Sequence, residues 1–142
     1  MTQLAELMKF SHDKTVLYVE DDESLREEMF EILDDIFNVV ISAVDGEDGL
    51  DKFEYYKKKM GNYPDIIITD IHMPKCNGIE MSKIFLAYNA EQLIIVLSSH
   101  NKSHYLVDLI NMGIEYYLVK PVCSEHLLET LQRAVKKIHY KK

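Results

Sequence analysis

Short runs of β-branched and aliphatic residues alternate along this chain with longer segments in which apolar positions recur at helical spacing. Thr15 to Val19 (TVLYV) is such a run, ended by the acidic cluster Glu20, Asp21, Asp22 and Glu23, and it reads as a buried strand followed by a loop. From Ser24 onward, Leu25, Met29, Ile32, Leu33 and Ile36 repeat at helical spacing, with acids crowded toward the start, where the helix dipole favours them. Asn38 to Ser42 predicts a second strand. The Asp45-Gly46 turn then opens a helix carried by Leu50, Phe53 and Tyr55 or Tyr56, which runs to Gly61. Pro64 leads into Asp65-Ile-Ile-Ile-Thr-Asp70, where the consecutive isoleucines predict a central strand covered on both faces.

Met73 to Gly78 reads as a loop and Ile79 to Tyr88 as a third helix. Leu93 to Leu97 (LIIVL) is a fourth strand ending at Ser98 and Ser99. Lys102 to Met112 predicts a fourth helix stopped by Gly113, Tyr116 to Val119 a fifth strand, and Lys120-Pro121 leads into a fifth helix with Leu127, Leu128, Leu131, Val135 and Ile138 as its core stripe. Ahead of all this, Leu4, Leu7 and Met8 predict one extra amphipathic turn. Strict alternation of strand and helix implies a doubly wound α/β fold, a parallel sheet with helices on both faces. In such sheets ligands sit beyond the carboxyl ends of the strands, at the point where strand order reverses.

Composition narrows the function. The 142 residues suit one ordinary domain, and a net charge of −8, from 24 acidic against 16 basic side chains, argues against a nucleic-acid surface. Cys76 and Cys123 stand in no metal or disulfide pattern and read as reduced thiols of a cytoplasmic protein. No apolar stretch approaches membrane-spanning length, and the N-terminus lacks the pattern of an export signal.

The strand ends carry the candidate chemistry: Glu20 and Asp21 after the first strand, Asp70 after the third, Ser98 and Ser99 after the fourth, Lys120 after the fifth. With strand order 2-1-3-4-5, three carboxylates converge, and carboxylates that close repel one another unless a cation is present. Hard oxygen ligands with waters suit Mg²⁺, which favours phosphate as a further ligand. Lys120 and Ser98 can offer charge and a hydrogen bond to phosphoryl oxygens.

These features, in this order and spacing, closely resemble the receiver domain of two-component response regulators. Val16-Leu-Tyr-Val-Glu-Asp21 with Arg26 resembles the family's acidic motif, and Asp70-Ile-His-Met-Pro74 with Gly78 resembles its phosphoacceptor loop. Val96-Leu-Ser-Ser99 resembles the hydroxyl motif, Tyr117 the switch aromatic, and Lys120-Pro121 the lysine motif. The resemblance implies a five-stranded flavodoxin-like (βα)5 fold over residues 15–140, with 1–14 as an N-terminal extension and 141–142 as a tail. It implies that Asp70 takes a phosphoryl group from a sensor histidine kinase, a phosphotransfer protein or a small phosphodonor. Glu20, Asp21, Asp70 and the backbone carbonyl of His72 would hold Mg²⁺, Ser98 and Lys120 would receive the phosphoryl group, and Tyr117 would turn inward with Ser98. The surface of the fourth helix, fifth strand and fifth helix would then rearrange toward an output domain, a partner protein or a second copy. Such a domain is not an enzyme beyond its own phosphorylation and dephosphorylation.

Departures from the family pattern are local. Glu20 stands where aspartate is common, Asn77 at a position often acidic, and Tyr116 where a small residue is usual, adding an aromatic expected to cover the output face. His72 and His100 lie two residues beyond Asp70 and Ser98, where they bear on acyl-phosphate lifetime. Taken singly, the acids could be a solvated helix start, Asp70 a strand-end cap, Ser98 or Ser99 a helix cap, Tyr117 a core aromatic and Lys120 a surface lysine. His100 and His104 have the i, i+4 spacing of a zinc pair with no third ligand in view, and read as solvated. Lys136, Lys137, Lys141 and Lys142 complement the last helix's dipole or begin a linker. Among other functions, a pseudo-receiver that only binds partners is opposed by intact Asp21, Asp70 and Lys120. An aspartyl-phosphate phosphatase needs a second acid where this chain has His72, and a nucleotide or flavin domain needs a glycine-rich loop that 5 glycines do not provide.

Overall fold

Every apolar run of the sequence becomes a strand of one parallel sheet, in the order β2-β1-β3-β4-β5. The computed structural model describes residues 2–71, 73, 77–99 and 104–141, the side chains of residues 104, 105 and 141 excepted. The strands are β1 (Thr15–Val19), β2 (Val39–Ala43), β3 (Ile66–Asp70), β4 (Leu93–Ser99) and β5 (Tyr116–Lys120). The helices are α1 (Gln3–Ser11), α2 (Glu23–Ile36), α3 (Gly46–Met60), α4 (Gly78–Tyr88), α5 (His104–Asn111) and α6 (Ser124–Lys141), so the five helices expected from the sequence are α2 to α6.

Residues of β1 and β3 are buried throughout: the apolar runs 16–19 and 66–68 suit central parallel strands, and Thr15, Thr69 and Asp70 are buried with them. Alternation along each strand divides the core. Val16, Tyr18, Ile66, Ile68, Ile95 and Leu97 pack with α1, α2 and α6, whereas Leu17, Val19, Ile67, Ile94 and Val96 pack with α3, α4 and α5.

Helix starts follow local chemistry. Asp22, Asp45 and Asn77 each accept a hydrogen bond from the third backbone N–H onward, capping α2, α3 and α4. Gly61, with φ of 84°, ends α3 in the left-handed conformation that glycine takes without strain.

The N-terminal segment goes well beyond one turn. α1 is a nine-residue helix laid across α2 and α6. Leu7 is fully buried in the core, and Ser11 Oγ donates to the Ile36 carbonyl over 2.8 Å at the end of α2. Phe10 meets the His139 ring edge-on at 5.0 Å, with Lys136 Nζ 5.9 Å from its own ring centroid. Leu4 and Met8 stay exposed, so only one of the three residues that suggested the turn anchors it. Tyr116 also departs from expectation: it is buried toward α6, beneath the Arg133 guanidinium 5.7 Å from its ring, and does not cover the surface.

His72, Cys76, His100 and the start of the expected fourth helix, with the His104 side chain, lie outside the described residues. Cys123 is exposed and free, and among the described residues no helix is long and apolar enough to cross a membrane.

Candidate functional site

Parallel register brings the strand-end residues to one edge of the sheet. Asp70, the last residue of β3, pairs with Leu97, which leaves Ser98 as the next residue of β4; Ser98 and Ser99 pair in turn with Val119 and Lys120. Glu20 follows β1 directly, beside β3, and its N–H donates to the Ala43 carbonyl at the end of β2. Glu20, Asp21 and Asp70 each offer a carboxylate oxygen, and these three atoms lie within 4.8 Å of one another. Glu20 and Asp70 are buried, Asp21 exposed.

Lys120 closes the group from the side of β5. Its Nζ donates to Glu20 Oε1 over 2.7 Å and to Asp70 Oδ2 over 3.1 Å. Burial pushes the Glu20 carboxyl above its usual range, and the Asp70 charge adds to this, against the hydrogen bond from Lys120. For Lys120, burial alone would lower the pKa, but the Glu20 hydrogen bond and the charges of Asp70 and Glu20 outweigh it and hold it above the usual lysine value. A single ammonium thus faces two buried carboxylates. Asp70 Oδ1 is buried with no hydrogen-bond partner among the described residues. An orphaned carboxylate oxygen, two further carboxylates in reach and excess negative charge fit a small hard cation with phosphate as co-ligand.

Surrounding residues fix the frame. Arg26 Nη1 donates to the backbone carbonyls of Glu20 (2.9 Å) and Asp21 (3.5 Å), bracing the turn that carries both acids. Thr69 Oγ1 donates to the Asp70 carbonyl. Gly78, whose N–H donates to the Ile71 carbonyl, passes so close to β3 that a Cβ there would sit 2.2 Å from the Asp70 carbonyl oxygen, which no side chain permits.

Of the residues singled out from the sequence, Glu20, Asp21, Asp70 and Lys120 come together. Ser98 is fully buried one position past the Asp70 register, and its hydroxyl donates to the Ser99 carbonyl over 3.3 Å. Tyr117 lies apart from the acids, half-buried on the α5 side of β5 against the second core cluster. The His72 carbonyl falls outside the described residues. One neighbour went unread in the sequence: the hydroxyl of Tyr18 reaches Glu20 Oε1 at 3.5 Å, a proximity encoded only in the two-residue alternation of β1.

The family model for the response regulator receiver domain matches residues 16–132, most of the chain. The chain belongs to the response regulator receiver family. Chemotaxis protein CheY of Listeria monocytogenes is 30% identical over 105 residues, 74% of this chain and 83% of that one. Transcriptional regulatory protein DegU of Brevibacillus brevis is 29% identical over 119 residues, 82% of this chain. The receiver chain spans about half of that regulator, 48% of its length. Among solved structures, the N-terminal domain of an uncharacterized protein from Wolinella succinogenes superposes with a TM-score of 0.79 at 36% identity, covering 91% of this chain and 99% of that one. The fold expected from the sequence, sheet order included, is that of CheY-like receivers.

Proposed function

We propose that this receiver domain accepts a phosphoryl group on Asp70 and signals its charge state through the α5, β5 and α6 surface. The observation that carries the reading is the Lys120 bridge between Glu20 and Asp70, beside an Asp70 oxygen with no partner. In the transfer, an Asp70 carboxylate oxygen attacks phosphorus, the new O–P bond forms, and the P–N bond to a donor histidine breaks. The electron pair leaves on the imidazole, which takes up a proton. Glu20, Asp21 and Asp70, with the His72 backbone carbonyl, would hold Mg²⁺, which when bound supplies neutralising charge to the phosphoryl oxygens.

Lys120 already points at Asp70 and moves its ion pair from the carboxylates to the phosphoryl oxygens. Ser98 turns its hydroxyl from the Ser99 carbonyl to the same group, and Tyr117 follows it inward. The added charge thereby biases a local two-state rearrangement. Val107 and Ile110 on α5 and Val119 on β5 are between 48% and 62% exposed, an apolar surface suited to an output domain, a partner protein or a second copy. Donors are a sensor histidine kinase, a phosphotransfer protein or a small phosphodonor, and the setting is the cytoplasm. The Glu20, Asp70 and Lys120 set weighs against a pseudo-receiver.

Incubation with Mg²⁺ and phosphoramidate, read by intact mass, tests the assignment. The wild type gains one phosphoryl group and Asp70→Ala gains none. Equal labelling of both proteins rules out Asp70.

A further inference from the structure

We propose that Tyr18 is a positioning residue for the acid cluster: its buried phenol donates to the Glu20 carboxylate and holds it in place for Mg²⁺, before and after Lys120 turns to the phosphoryl group. This rests on the reading of Glu20 as a metal ligand and of Asp70 as the acceptor. Residues 18 and 20 share one face of the β1 direction, and the Tyr18 ring is 1% exposed, packed in the core cluster that contains Ile68, Leu97 and Leu118. The hydroxyl is therefore placed by the core, not by solvent. A buried phenol needs a hydrogen-bond partner, and among the described residues the acceptor is Glu20 Oε1 at 3.5 Å.

Lys120 Nζ takes the same oxygen at 2.7 Å, which leaves the phenol the longer and weaker donor while the lysine is there. The backbone N–H of Asp22 takes Oε2 at 3.3 Å. Glutamate has one more rotatable bond than aspartate, so a carboxylate on this longer arm depends more on such donors for its orientation. Once Lys120 ion-pairs with phosphoryl oxygens, Tyr18 and the Asp22 amide are the donors to Glu20 that remain among the described residues.

Tyr18→Phe removes the hydroxyl and leaves the ring that packs the core. Two measurements follow: calorimetric titration of the unphosphorylated protein with Mg²⁺, and the Mg²⁺ dependence of labelling by phosphoramidate. The Mg²⁺ Kd rises about tenfold, the lower end of what partners of metal ligands contribute, and the labelling midpoint moves by the same factor. The rate at saturating Mg²⁺ stays within about twofold, because the loss is in binding. On a Glu20→Gln background the same substitution has no further effect, as a residue acting through Glu20 requires. A purely structural tyrosine would lower the melting temperature and leave the midpoint unmoved. An unchanged Kd, or equal effects on both backgrounds, overturns the proposal, as does a wild type that binds no Mg²⁺. A wild type that binds Mg²⁺ yet accepts no phosphoryl group defeats the Asp70 reading alone, and the titration still decides on Tyr18.

Discussion

At the carboxyl ends of β1, β3 and β5, Glu20, Asp70 and Lys120 bury charge that does not balance; where α1 crosses the far ends of α2 and α6, Leu7 and Ser11 bury apolar surface and one hydroxyl whose hydrogen bond is made. Both regions lie on the same side of the sheet and share its core, yet one holds more carboxylates than its ammonium can pair and the other leaves its buried hydroxyl satisfied. Buried ion pairs rarely add net stability against apolar packing of the same volume, and an unpaired buried charge lowers it. The difference teaches where this domain holds its fold together and where it buries charge at the expense of stability.

The largest way to break that comparison is to take away the ammonium that bridges Glu20 and Asp70. Lys120→Met leaves two buried carboxylates facing each other. In Mg²⁺-free buffer it lowers unfolding free energy by about 3 kcal/mol, measured by urea denaturation. Saturating Mg²⁺ restores part of that loss relative to the wild type, because without the competing ammonium the folded variant binds the cation more tightly and gains more by mass action. At the packed end, Leu7→Ala removes a fully buried side chain and lowers stability by about 2–3 kcal/mol, a loss that Mg²⁺ does not restore. The smallest effect has the opposite sign. Asp70→Asn removes the uncompensated charge and raises stability by about 1 kcal/mol without Mg²⁺, while weakening Mg²⁺ binding. Acidification sharpens the same contrast: because the folded Glu20 carboxyl titrates above its ordinary value, protons compete with Mg²⁺ there, and the affinity falls as pH drops through that range.

The sheet was legible because parallel central strands must be apolar on both faces, which the TVLYV and DIIIT segments state outright. The acids and the lysine were legible because they sit at strand ends, where a register of single residues decides who meets. Other features depend on partners far away in the chain. α1 is too short to form on its own propensity and is anchored through Leu7 and Phe10 by residues at the other end of the sequence, such as Ala134 and His139. Tyr18 looked like one more apolar strand residue, since a phenol shows its polar end only when its neighbour is known. The inward turn of Tyr116 follows from strand alternation opposite Tyr117 and was hidden by the pairing of two identical residues.

The reading of Asp70 as the phosphorylated residue is tested most directly by trapping. The protein is labelled with phosphoramidate and Mg²⁺, reduced with borohydride, which converts an aspartyl phosphate to homoserine, and mapped by peptide mass spectrometry. Homoserine at position 70 and at no other carboxylate is the predicted result. Aspartate intact at 70, or homoserine at Glu20's neighbour Asp21 instead, would contradict it.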